Sequence, residues 1–293
     1  MGYAALAAAG SVWGTAFVFG KWALTELSVG HMVLLRFVFA SLGMSVALWR
    51  ERRHGPIRIA RRDVGLVLAG AIVGVPVQYL VQFQGLAHTT VSHASLMVGI
   101  LPVLLGVAAA LFTHERLDAF GWSGLVASTV GAGLVAFGGG DADSGPGASL
   151  FGDLLVVASL FAGVVWILVC QRLMARRYSP ATTSAIVIVV GTLLLAVWVI
   201  GTEGLPNFAT LSARTWISVA TLGLFATTIA TLLWNWGLAR VPASQAGVFV
   251  NLEPLVGAIL GVALFDDTFG LLSIVGGLLI VVAAVVVTSR STA

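Results

Sequence analysis

Charge is what this chain has least of. Lys, Arg, Asp and Glu together make up 9% of its 293 residues, against roughly a quarter in an ordinary soluble domain. That is too little to clothe a solvent-facing surface. Cysteine is nearly absent: Cys170 stands alone, which excludes an intrachain disulfide and any multi-cysteine metal site. The five histidines lie at 31, 54, 88, 93 and 114, so the later part of the chain has none. His88, His93 and His114 lack acidic neighbours at ligand spacing, and no metal site is expected. No Walker-type nucleotide motif is present, and direct ATP drive is not expected. A pI near 9.6 would suit a nucleic-acid binder if the basic residues formed a solvated patch. Instead six arginines crowd between positions 50 and 62, and that crowding has a membrane explanation.

What the chain has in abundance is apolar length: 59% hydrophobic residues and a mean hydropathy of +1.04. Each crossing of a bilayer takes about 20 apolar residues. Hydrophobic stretches run approximately over 4–25, 30–49, 64–86, 91–112, 121–139, 151–170, 182–201, 214–238, 243–265 and 270–289. Spans of this length must be helices, because hydrocarbon offers no partner to an open backbone. The expected fold is an all-α polytopic membrane protein of ten transmembrane helices. The first stretch lacks a basic leader and reads as a retained helix.

Lys and Arg in short loops orient such a protein. With the N-terminus in the cytoplasm, the inner loops and C-terminal end hold Arg50, Arg52, Arg53, Arg58, Arg61, Arg62, Arg116, Arg172, Arg176, Arg177, Arg240 and Arg290. The outer loops hold Arg214 alone among basic residues, beside Glu26, Asp141, Asp143, Glu203, Asp266 and Asp267. Both ends are therefore expected in the cytoplasm, in the inner or plasma membrane.

Self-comparison at an offset of 152 residues superposes Gly85-Leu86-Ala87 on Gly237-Leu238-Ala239 and Ser92 on Ser244. It also places Ala94 on Ala246, Val98 on Val250, Pro102 on Pro254, Glu115 on Asp267 and Gly124 on Gly276. The match is ungapped and pairs the fourth span with the ninth and the fifth with the tenth. Each unit then has five spans, and an odd number inserts the second copy upside down. The expected organisation is a first repeat over 1–139, a linker over 140–150 and a second repeat over 151–293. Inverted repeats of this kind belong to carriers that hold substrate near the midplane.

Local motifs agree with that layout. Trp13-Gly14-Thr15 opens the first span, followed by Lys21, and Leu35-Arg36-Phe37 lies in the second. Ala94-Ser95-Leu96 precedes Pro102, and Glu115-Arg116-Leu117 closes the unit. In the second copy Ala243-Ser244-Gln245-Ala246 precedes Leu252-Glu253-Pro254. The ordered set, over essentially the whole chain, resembles the EamA-type branch of the drug/metabolite transporter superfamily. The resemblance implies a ten-helix inverted-repeat carrier, often an exporter of small metabolites such as amino acids. One position departs from two-fold repetition, since Leu101 stands where the second copy has Glu253.

A charge within a bilayer is costly and marks a site or a structural pairing. Arg36 lies about a third of the way into the second span, Lys21 near the outer end of the first, and Glu253 near the middle of the ninth. Arg36 reads as a structural ion pair or as a fixed charge that attracts a carboxylate or phosphate. Lys21 reads as snorkelling toward Glu26 or as a second polar site. Glu253 reads as a bend beside Pro254 or as a carrier of protons. Trp13, Gln78, Gln82, His93 and Asn251 complete the candidate substrate contacts. The expected partners are a small-molecule substrate and the lipid bilayer, with no nucleic acid and no cofactor, and a homodimer stays open. A channel or structural subunit, and a rhomboid-like protease built on Gly121-Trp122-Ser123-Gly124, are the other readings. A reporter fused after Ala293 checks the orientation: green fluorescence and no alkaline phosphatase activity are expected, and the reverse pattern inverts the assignment.

Overall fold

The computed structural model describes residues 1–53, 59–112, 119–138, 149–176, 178–238, 240, 249–268 and 270–290. Glu115-Arg116-Leu117, Ala243-Ser244-Gln245-Ala246, His54, His114, and nearly all of the 140–150 linker with Asp141 and Asp143 lie outside them. Among the described residues there is no strand. The helices are α1 (Gly2–Ala23), α2 (Val29–Arg52), α3 (Val64–Ile72), α4 (Gln78–Ala87), α5 (Val91–Val98), α6 (Leu101–Phe112) and α7 (Ala119–Gly138). They continue with α8 (Leu150–Ala175), α9 (Pro180–Glu203), α10 (Ala213–Ala220), α11 (Ala230–Leu238), α12 (Leu252–Phe265) and α13 (Leu271–Arg290). Six stretches, 2–23, 29–52, 61–87, 150–175, 180–203 and 213–237, are long and apolar enough to cross a membrane, with shorter apolar helices beside them. The protein is a polytopic helical membrane protein. Leu42, Val197, Ile217, Leu271 and Leu278 point outward and stay more than half exposed, as side chains facing acyl tails do.

Short polar residues start these helices. Ser28, Thr90, Ser149, Ser179 and Ser212 each accept the backbone N–H three residues on, at the heads of α2, α5, α8, α9 and α10. Such caps satisfy donors that the first turn cannot. Gly204, with φ of 76°, stops α9, and Asp266, with φ of 54°, stops α12. Asp266 adopts the left-handed αL geometry that commonly ends a helix, while Gly204 takes a positive φ that suits glycine.

Four irregularities interrupt the long helices. A π turn over Val73–Val77, containing Pro76, joins α3 to α4. A π segment over Thr221–Ile229 joins α10 to α11. Gly99 and Ile100 separate α5 from α6, and Asn251 precedes α12. The sequence places the last bend at Glu253-Pro254; the structure moves it to Asn251. Pro254 then falls in the first turn of α12, where its missing N–H would have had no helical partner anyway. The irregularities recur at the 152-residue offset: Val73–Val77 falls on 225–229 and Gly99 on Asn251. At the same offset α7 falls on α13 end for end.

The principal helix pairs join the earlier and later parts of the chain. α2 packs on α9, α4 on α8, α1 on α11 and α12, α5 on α12, and α7 on α13. At the 152-residue offset α4 falls on α11 and α1 falls within α8, so the α4–α8 and α1–α11 contacts are the same contact with partners exchanged. Glycines permit the closest approaches. A Cβ on Gly131 would stand 2.7 Å from the Gly276 carbonyl oxygen, and one on Gly276 would stand 2.5 Å from that of Gly131. Gly133, two residues on and on the opposite face of α7, has nothing within 4 Å. Gly131→Leu should therefore lower stability by about 1–3 kcal/mol through overpacking, read as a lower midpoint of thermal unfolding in detergent. Gly133→Leu is the matched control and should leave the midpoint in place.

Candidate functional site

Arg36 sits about two turns into α2 and is 3% exposed. Its Nε donates to Thr227 Oγ1 at 3.0 Å. The Thr227 hydroxyl in turn donates to the Leu222 carbonyl, five residues back along the π segment, at 2.9 Å. The irregular backbone thus orients the lone pair that meets the guanidinium. Aromatic faces supply the rest of the surroundings. The guanidinium carbon lies 4.4 Å from the Tyr79 ring centre, 5.3 Å from that of Phe83 and 5.6 Å from that of Phe37. Ring quadrupoles attract a cation at such distances, more strongly when water is excluded. Among the described residues no carboxylate forms an ion pair with Arg36. Glu253, in the first turn of α12, lies within electrostatic reach of both Arg36 and Tyr79 without closing a contact. The charge pair anticipated as one reading of Arg36 is therefore a longer-range attraction.

Gln78 and Gln82 are both buried. The Gln78 amide lies against Gly163 of α8, while the neighbouring Tyr79 faces Arg36. Successive helix positions point about 100° apart, so Gln78 and Tyr79 serve different interfaces. Gln78 Oε1 has no hydrogen-bond partner. Trp13 packs against Trp234 in a tilted pair, with ring centres 5.2 Å apart and planes at 47°. Asn251, 6% exposed, has no partner on either side-chain amide atom. Orphaned buried amides are uncommon and call for a ligand, water or rearrangement. They occur here beside helix interruptions.

Lys21 does not turn toward Glu26. Its Nζ donates to the carbonyls of Leu86 at 2.9 Å and Thr89 at 2.6 Å, the open end of α4. Glu26 instead accepts the Ser212 N–H at 2.8 Å. A cation on the last carbonyls of a helix meets the negative end of its dipole. His93, 2% exposed, pairs its Nδ1 with Asp153 Oδ2 at 3.0 Å. The other oxygen, Oδ1, accepts the Thr89 hydroxyl at 2.6 Å.

The structure thus divides the candidates. Arg36 and Glu253 share a central region, Lys21 and His93 belong to a network at the end of α4, and Gln78 lies on the α4–α8 face. Five partners escaped sequence reasoning: Tyr79, Phe83, Thr227, Thr89 and Asp153. Tyr79 and Phe83 stand one turn apart, which signals a shared aromatic face, and nothing in that spacing identifies the arginine it meets. Removing the Lys21 ammonium strips two carbonyls of their donor. Lys21→Met should destabilise the protein by about 1–3 kcal/mol, seen as a lower unfolding midpoint, with Lys21→Arg recovering part of the loss.

A profile of the EamA-like transporter family matches residues 1–137 and again 150–289. The chain is 25% identical to an uncharacterized transporter, YetK, of Bacillus subtilis, over 96% of this chain and 86% of the relative. It is 24% identical to a probable terminal-alkyne amino-acid exporter of Streptantibioticus cattleyicolor, over 95% and 90%. It is 23% identical to a biotin transporter of Salmonella typhimurium, over 87% and 82%. A solved crystal structure shares the fold with a TM-score of 0.67 at 19% identity, covering 99% of this chain and 96% of the other. With two matches that together span nearly its whole length, this chain belongs to the EamA-like transporter family.

Proposed function

We propose that this membrane transporter is a secondary active carrier, working by alternating access, that exports a small carboxylate-bearing metabolite such as an amino acid. The observation that carries the reading is Arg36. A guanidinium held among three aromatic rings and one hydroxyl keeps its orientation, and its charge lacks a carboxylate at contact distance. A substrate carboxylate suits that charge, because guanidinium and carboxylate match in a planar two-point pairing. The named amino-acid exporter and biotin transporter among the relatives handle molecules that carry a carboxylate, which supports the same chemistry. Two units of five helices, inverted relative to one another in a ten-helix bundle, are the proposed moving parts. The paired irregularities at the 152-residue offset and the exchanged helix contacts support that organisation. Glu253 is proposed as the charge that balances Arg36 when the site is empty, and Trp13 and Asn251 as further substrate contacts.

The protein in this conformation encloses Arg36, as a carrier does between its open states. A carrier of this kind sits in the cell membrane with both termini in the cytoplasm. The test is counterflow in proteoliposomes with a panel of radiolabelled amino acids and other carboxylates. Saturable counterflow of a carboxylate is expected, falling at least tenfold in Arg36→Gln, about 1.4 kcal/mol or more, with Arg36→Lys intermediate. Unchanged flux in Arg36→Gln, or a non-saturable ion current, would overturn the reading.

A further inference from the structure

The central region leaves a second set of buried ionisable groups unused. His93 and Asp153 are 2% and 1% exposed and lie on opposite sides of a junction between the two parts of the chain. His93 is in the first turn of α5, whose cap Thr90 accepts its backbone N–H at 3.1 Å. Asp153 is in the first turn of α8. Around them the fit is tight. Ser149 donates its hydroxyl to the His88 carbonyl at 2.5 Å, and a Cβ on Gly152 would lie 2.8 Å from the Gly85 carbonyl oxygen. Asp153 accepts from Thr89, and the Thr89 carbonyl accepts from Lys21 of α1. One buried chain of contacts therefore links α1, the α4–α5 connection, α5 and α8.

Breaking a buried charged pair by removing one partner is costly, whereas a change of protonation alters its charge without removing an atom. Histidine is the side chain whose ordinary titration lies nearest physiological pH. His93 lies within one helical turn of the start of α5. The ionisable groups on elements packed against α5 are Tyr3 and Lys21 of α1, Tyr79 of α4, Asp153, Cys170 and Arg172 of α8, and Glu253 of α12, with Asp266 and Asp267 just after α12. Asp267 is engaged with the Ser92 N–H at 2.9 Å, and Lys21 with its two carbonyls. Asp153 is the one that touches the imidazole.

We propose that the His93–Asp153 pair is the coupling site at which this carrier takes up and releases a proton, separate from the substrate anchor at Arg36. Neutral His93 keeps its Nδ1–H on the Asp153 carboxylate, and a proton from the outer solution adds to Nε2, forming an N–H bond and an imidazolium–carboxylate pair. In the return half of the cycle the same N–H bond breaks, the proton passes to water, and the ring returns to neutral. Protonation strengthens the α5–α8 contact and deprotonation loosens it, so each proton step biases which face of the bundle can open. The inference rests on the carrier reading for its role in transport, while proton binding at the pair is tested independently.

Two measurements test it, with the full chain in lipid. The first is nitrogen-15 histidine NMR in nanodiscs, where five imidazole signals are expected and His93→Gln identifies one by its loss. Scanned from about pH 5 to 9, the span around an ordinary histidine's titration, the His93 signal should change, and that response should differ in Asp153→Asn. Both replacements retain a hydrogen-bonding amide, which keeps the junction filled. The second compares two transport modes in proteoliposomes with a carboxylate found by the counterflow panel. Asp153→Asn and His93→Gln should hold counterflow within about twofold and lose at least tenfold of the flux driven by a pH gradient. A His93 signal that stays constant across that range overturns the proposal whatever the transport result. Gradient-driven flux that survives in both variants overturns it as well. If the parent shows no counterflow while His93 titrates with Asp153, the carrier reading fails and proton binding at the pair stands.

Discussion

A positive charge enclosed by a helical bundle has to be stabilised by what surrounds it, and here the surroundings of Arg36 organise much of the interior. Moving a guanidinium to the centre of a membrane costs about 2.5–3.5 kcal/mol even on insertion scales. The protein offsets that cost with diffuse partners: the faces of Tyr79, Phe83 and Phe37, the Thr227 hydroxyl, and the more distant Glu253. A close carboxylate would have neutralised the charge permanently. Ring faces and one hydroxyl hold the guanidinium still while leaving its strongest valence for something else. Four segments must meet to do this, namely α2, α4, α12 and the π segment after α10, so the arginine ties together helices far apart in the chain.

The interruptions in the helices follow from the same demand. A regular α-helix uses every backbone group on itself, leaving none for a neighbour or a ligand. The π segment at Thr221–Ile229 is where Thr227 reaches Arg36, and the break at Asn251 leaves an amide without a partner. The open end of α4 after Ala87 would be an equal liability in lipid, and Lys21 fills it. Lys21, Thr89, Asp153 and His93 then form a polar chain at one end of the bundle, while Arg36 and Glu253 occupy its middle. These two regions share α4, whose Tyr79–Phe83 face touches the arginine and whose last carbonyls take the lysine. A shift of α4 would be felt in both places.

Much of this was legible residue by residue. Arg36, Lys21 and Glu253 announce themselves, because a charge in an apolar run has few neighbours in sequence to explain it. Gln78 and Gln82 were readable as a shared face, and burial agrees. Asp153 was not legible: it stands four residues after Ser149, where a carboxylate reads as an ordinary complement to the positive start of a helix. Only docking of α8 against the α4–α5 connection turns it inward to meet His93. Lys21 was read toward Glu26, its nearest acid in sequence, because spacing along one chain says nothing about carbonyls 65 and 68 residues away.

Hydropathy and the distribution of arginine are local or additive properties, and they determined from sequence alone that this is a helical membrane protein with a few costly polar groups inside it. The ungapped match at 152 residues also lay in the sequence, and the family model matches on either side of it, over 1–137 and 150–289. Which surfaces meet is a different kind of information. Apolar helices in lipid gain little from the hydrophobic effect when they associate, so their pairing depends on close steric fit and on a few polar contacts. Those are set by the positions of glycines and side chains on several helices at once, as at Gly131 and Gly276. Only the tertiary structure decided that aromatic rings would surround Arg36 and that His93 would find its carboxylate on α8.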